Sequence, residues 1–136
     1  MTPTEAFHRM RAQWLSNTPT FDGDLMAEDV VVETPFAPPG RPRRLVGRAA
    51  NVARAEVGRA ALPVRFDDCR HVMIHETTDP EVIVVEYELV GTHTGTGVTA
   101  SAPFIGVLRM RDGRIAHWRE YQDHAAIAAA VSQPTG

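Results

Sequence analysis

The sequence predicts an α+β fold: a curled antiparallel sheet with helices packed across its concave face, a cone with a pocket inside. Three observations point there. Helical patterns fill much of the first half, and a meander of long strand patterns fills the second. In the stretch 81–92, Ile83, Val85, Tyr87 and Leu89 form one apolar side, while Val82, Val84, Glu86 and Glu88 form a mixed one, so period-2 logic turns the first set inward. With 136 residues and 14.9 kDa, the chain supports one sizeable core but not two. No repeat or linker divides it, so 1–136 reads as a single domain.

The elements follow in order. Thr2 and Glu5 have capping-box spacing with Pro3 at the first helical position, and Phe7, Met10, Trp14 and Leu15 recur at helical period, giving a helix over about 3–16. A short helix is expected around Asp22–Ala27, then a strand at the β-branched run Val30–Val32. PFAPPGRP, from Pro35 to Pro42, reads as a stiff, extended loop. Alanine-rich Gly47–Ala60 reads as a helix. Strands are expected over 64–76, 81–94, 98–110 and 114–123, with turns at Thr78-Asp79-Pro80, Gly95-Thr96-Gly97 and, most clearly, Asp112-Gly113. A short helix over 124–131 closes the chain.

Composition removes several classes of function. Hydrophobic residues make up 43% and charged ones 23%, the balance of a globular protein. The formal net charge is -3 with no basic block, so no nucleic-acid partner is expected. No apolar run approaches the roughly 20 residues of a membrane span, and the N-terminus has no apolar signal region, so a cytoplasmic location is expected. Cys69 is the single cysteine, which excludes an intrachain disulfide and a Cys-based zinc site. Cys69, His71, Met73 and His75 alternate along one strand. Same-face neighbours lie about 6–7 Å apart, too far for more than two to reach one ion, so no metal site is assigned. No phosphate-binding glycine loop is present, and no cofactor is implied.

Three segments carry a family resemblance: VVVETPFAPPGRPRRLVGRAA, HETTDPEVIVVEYELVGTHTGTG and GVLRMRDGRIAHWREYQD. They resemble the first strand and proline loop, the central hairpin and the closing hairpin of SnoaL-like proteins, within the nuclear transport factor 2-like superfamily. The resemblance implies the cone fold, a cystatin-like α+β barrel, usually dimeric, here a homodimer through the outer sheet face. It does not fix a chemistry, because the superfamily includes isomerases, cyclases, hydrolases and binders. Ketosteroid isomerase chemistry is excluded residue by residue. The base position falls on Thr34, the oxyanion acid on or near Gly106, and the first helix has no tyrosine. Trp118-Arg119-Glu120-Tyr121 is similar to the Trp-Arg-Asp-Tyr pattern of limonene epoxide hydrolase and the phenazine biosynthesis A/B proteins, which puts Glu120 at the acid.

Glu120 is the leading catalytic candidate, since a carboxyl in an apolar pocket has a raised pKa and exchanges protons near neutrality. The same residue also fits an edge glutamate paired with Arg119 or Arg114. Glu33 is the second candidate if it shares the pocket as a coupled carboxyl; otherwise it points outward at a strand end. Tyr87 is a candidate hydrogen-bond donor to substrate, or an ordinary core tyrosine. Trp14, Phe36, Leu89, Phe104, Trp118 and Gln122 are the candidate substrate-binding wall. The expected function is general acid–base catalysis on a small, largely apolar organic molecule, an isomerisation or cyclisation in secondary metabolism. The alternatives are an epoxide-opening hydrolase or cyclase, marked by a water or hydroxyl between Glu33 and Glu120, and a non-catalytic binding or assembly protein.

Overall fold

The computed structural model describes residues 1–132, so 133–136 of the predicted domain lie outside the described residues. Helix α1 spans Pro3–Ser16 and starts as its sequence requires: the Thr2 hydroxyl accepts from the Glu5 N–H at 3.1 Å, with Pro3 in the first turn. Asn17 ends it in the left-handed conformation at φ 56°, its N–H returning to the Trp14 carbonyl. The Asn17 side chain then pairs with Phe66 as a strand would, donating to its carbonyl and accepting from its N–H, each at 2.8 Å. This anchors the last turn of α1, which carries Trp14, to the sheet.

The expected short helix at 22–27 is a 3-10 turn, Gly23–Leu25, and strand β1 already begins at Met26 and runs to Glu33. The buried apolar set Leu25, Met26 and Ala27 accounts for this: it leads into the sheet, not onto a helix face. The proline segment is not extended. Ala37 N–H bonds the Thr34 carbonyl, Arg41 N–H bonds the Pro38 carbonyl, and Thr34 N–H closes onto Arg43 at 2.9 Å. These turns return the chain to a short strand β2, Arg44–Val46, antiparallel to β1. Three residues are too few to show a period, so β2 escaped the sequence pattern.

Helix α2 spans Arg48–Ala61, and the strands β3 (Val64–Glu76), β4 (Val82–His93), β5 (Thr99–Arg111) and β6 (Arg114–Gln122) follow, with α3 at His124–Val131. The sheet order is β2-β1-β6-β5-β4-β3. The sheet is not wholly antiparallel as expected, because β1 runs parallel to β6. α1 lies against β3–β6, α2 against β1 and β2, and α3 against β4 and β5. Phe7 and Met10 of α1 enter a core with Val30, Val85, Leu108, Met110 and Ile115, whose burial supplies about 25 cal/mol per Å² of apolar surface. No described helix is long and apolar enough to cross a membrane.

Two bulges set which side chains face inward. In β3 an extra residue falls between Arg70 and Met73, with His71 at φ 54°. Cys69 therefore points inward and is fully buried, whereas Met73 and His75 lie on the exposed side, and the four alternating residues do not share a face. In β6, Ile115 pairs with Met110 but His117 pairs with Arg109, which leaves Ala116 as the extra residue. Beyond it, Trp118, Glu120 and Gln122 face the interior.

Gly106 sits opposite Glu120 and beneath the Trp118 ring, and a Cβ built there falls inside the indole. Gly106→Ala is expected to destabilise the fold by about 1–3 kcal/mol through overpacking, read as a lower urea midpoint. An unchanged midpoint would mean that the indole moves freely aside.

Candidate active site

The strands align the interior in rows. Tyr87, Phe104 and Gln122 lie side by side across β4, β5 and β6, and Val85, Gly106 and Glu120 form the next row. Tyr87 is stacked between Trp14 and Phe104, with ring centroids 5.3 Å away on both sides. Trp14 also approaches Trp118 at 6.4 Å. These aromatic groups surround one carboxyl.

Glu120 accepts three hydrogen bonds. Gln122 Nε2 donates to Oε1 at 2.7 Å, while the Tyr87 hydroxyl and Trp118 Nε1 both donate to Oε2 at 3.2 Å. Burial raises the Glu120 carboxyl above the ordinary glutamate range, and the three donors offset only part of that rise. Burial, with Glu120 beside it, pushes the Tyr87 phenol well above its usual value, so it remains a donor. The two lone pairs of Oε2 are taken by Tyr87 and Trp118, whereas Oε1 serves Gln122 alone. A proton on this carboxyl therefore belongs on Oε1.

Glu120 borders two cavities that share Trp14. The larger, about 300 Å³, is walled by Leu89, Phe104 and Gln122 from the sheet and by Ile127 and Val131 from α3. The smaller, about 260 Å³, lies between α1, α2 and the sheet and is lined by Trp118, Val32, Asn51 and Arg54 among others. Trp14, Leu89, Phe104, Trp118 and Gln122 are thus brought together around Glu120. Tyr87 is 2% exposed and lines neither cavity. Its hydroxyl is committed to Glu120, so it holds the carboxyl in place of the expected contact with substrate.

Two expected site residues lie elsewhere. Glu33 accepts from His117 Nε2 at 2.5 Å on the outer face of the sheet. Glu33 pairs in register with Arg119, and Val32 with Trp118, so the parallel β1–β6 ladder turns Val32 inward and Glu33 outward. No water or hydroxyl can sit between Glu33 and Glu120 as the epoxide-opening alternative required. Phe36 is 63% exposed and packs edge-on against Tyr121 at 5.2 Å, also outside the cone. Conversely, His93, Asn51 and Arg54 line the cavities without having been singled out. Its alanine content identifies α2 as a helix, but composition alone does not say which polar residues its inner face carries. No cluster of three or more metal-binding side chains occurs among the described residues.

Comparison with known proteins places this geometry in context. A family model described as SnoaL-like domain matches residues 5–118. An uncharacterized PhzA/B-like protein of Pseudomonas aeruginosa is 37% identical over 98 residues, 72% of this chain and 67% of that one. Among solved structures, a Bacillus subtilis protein provisionally described as an isomerase superposes with a TM-score of 0.84 at 24% identity, covering 94% of this chain and 91% of its own. A protein of Xanthomonas campestris provisionally described as a polyketide cyclase gives 0.75 at 20% identity, over 96% of both chains. At these identities the structural likeness shows the fold.

The raised Glu120 pKa fixes the sign of a stability effect. The folded state binds its proton more tightly than the unfolded chain, so the group costs stability as pH rises from about 4.3, the ordinary glutamate value, through the folded value. Urea melts of the wild type and Glu120→Gln should diverge across that window, with the wild type losing ground as pH rises. Parallel curves would place the carboxyl in water. Tyr87→Phe removes one donor; it is expected to raise the Glu120 pKa further and to cost about 0.5–1.5 kcal/mol, checked by carboxyl ¹³C NMR titration and urea melts.

Proposed function

The chain belongs to the SnoaL-like domain family, and within it we propose a general acid–base enzyme in which Glu120 moves a proton on a small, largely apolar molecule, isomerising or cyclising it in secondary metabolism. The observation that carries this reading is the carboxyl itself: Oε2 is saturated by Tyr87 and Trp118, Oε1 keeps a lone pair for a proton, and the surrounding cavities are mostly apolar. A carboxyl of this kind has a pKa moved toward neutrality, where both giving and taking a proton are feasible. In an isomerisation, Oε1 takes a proton from an activated carbon of the substrate and returns it at another position, leaving the protein unchanged. Trp14, Leu89 and Phe104 orient the apolar body and exclude water. The provisional names isomerase and polyketide cyclase attached to structural relatives fit this class of chemistry.

A substrate-independent test uses 5-nitrobenzisoxazole, a small apolar probe. Removal of its ring C–H proton by a carboxylate breaks the N–O bond and releases a coloured cyanophenolate. The full chain is expected to accelerate this opening, with a rate that rises as the Glu120 carboxyl deprotonates. Glu120→Gln should lower the rate by about 10²-fold or more. A wild-type chain no faster than free acetate, or a Glu120→Gln variant as fast as the wild type, overturns the acid–base reading.

A further inference from the structure

We propose that the site takes an anion: a small apolar carboxylic acid whose carboxylate is held by Arg54, its apolar body lying along the Glu120 side of the two cavities. This rests on the reading that the cavities bordered by Glu120 are the working ones. Arg54 is contributed by α2 to the smaller cavity, where Met10, Val32, Ile115 and Trp118 supply an apolar wall. Its guanidinium has no ion pair and no hydrogen bond among the described residues.

Arg11, Arg48 and Arg59 near the interior each have a protein partner, although the Nε atoms of Arg11, Arg59 and Arg119 are buried without one. Arg11 donates to the Cys69 carbonyl at 2.5 Å, Arg48 to the Met26 carbonyl at 3.4 Å, and Arg59 to the Val64 carbonyl at 2.9 Å and to Asn17. Arg54 is partly exposed, so its guanidinium keeps contact with water and can exchange it for the oxygens of a ligand. The planar donor fork of arginine matches a carboxylate through two parallel bonds.

Glu120 does not supply that partner. Its three bonds come from Tyr87, Trp118 and Gln122, and no arginine acts on it. The two groups border one cavity without neutralising each other, a cation for binding and a carboxyl for proton transfer. No other arginine lines either cavity that Glu120 borders. The remaining walls are mostly apolar, so the ligand is apolar apart from its acid group and the position that meets Glu120.

The test compares cyclohexylacetate with cyclohexylacetamide, which share an apolar body and differ in charge. Both tryptophans of the chain line the cavities, so their fluorescence reports occupancy. The wild type at pH 7 is expected to bind the acid about tenfold or more tightly than the amide. Arg54→Met should bring the acid down to the amide, and Arg54→Lys should restore part of the preference. Equal binding of acid and amide by the wild type, binding of neither, or an acid preference that survives in Arg54→Met overturns the inference. The ratio needs no turnover, so its collapse leaves the Glu120 reading standing. An intact ratio in a wild-type chain that does not open 5-nitrobenzisoxazole overturns the Glu120 reading alone.

Discussion

A part-buried carboxyl group set among aromatic rings governs the interior of this protein. Ionised glutamate is among the most costly groups to bury, and the cost is tolerable only when its oxygens are satisfied or its proton is kept. The fold supplies satisfaction from three directions. Tyr87 comes from β4, Trp118 and Gln122 from β6 itself, and all three are donors aimed at Glu120. Two of the donors are in turn held by something larger. Tyr87 is clamped between two aromatic rings, and Trp118 lies over a glycine that leaves room for nothing else. The Asn17–Phe66 pairing belongs to the same scheme, since it ties down the helix end that carries Trp14. The aromatic content of the cone therefore serves as scaffolding for one acid group as much as a hydrophobic core.

Much of this was legible in the sequence, and the legible strand faces share a physical reason. The alternation of Ile83, Val85, Tyr87 and Leu89 identified the inner face of β4, because a long strand with one buried side repeats its pattern often enough to be read. Glu120 came from the resemblance of Trp118-Arg119-Glu120-Tyr121 to a family pattern, and period 2 then set Trp118 and Gln122 on its face. The errors gathered where that period has too little length. Glu33 is the last residue of β1, and its side of the sheet is set by pairing with a strand more than eighty positions away, which no local pattern records. β2 is three residues long. Phe36 sits in the proline segment, where turns and not a strand decide its direction. In β3, the extra residue at His71 breaks the face that Cys69 was expected to share with Met73 and His75.

The two cavities also differ in what they are made of. The larger is closed by α3, an alanine-rich helix whose side chains are small, and depends on strand residues for its shape. The smaller is closed by α1 and α2 and holds the polar side chains Asn51 and Arg54. Asn51 is buried and spends its amide on the Leu45 and Gly47 carbonyls, which fastens the start of α2 to the turn before it. Arg54, one turn further along the same helix, is therefore carried on an element fixed at its base, a rigid mount of the kind a binding group needs.

The extra residue at Ala116 has a consequence for how such a site diversifies. It lies between the Asp112-Gly113 turn and the inward-facing run of β6, so every side chain from 117 onward owes its face to that one insertion. Remove it, and the pleat carries Trp118, Glu120 and Gln122 to the outside and brings His117, Arg119 and Tyr121 within. The interior would then be lined by an imidazole, a guanidinium and a phenol in place of an indole, a carboxyl and an amide. The two faces of β6 thus hold two complete sets of chemical groups. The choice between them is made by the number of residues after the turn, so a lineage could exchange one chemistry for the other by a single codon gained or lost without changing any of these six side chains.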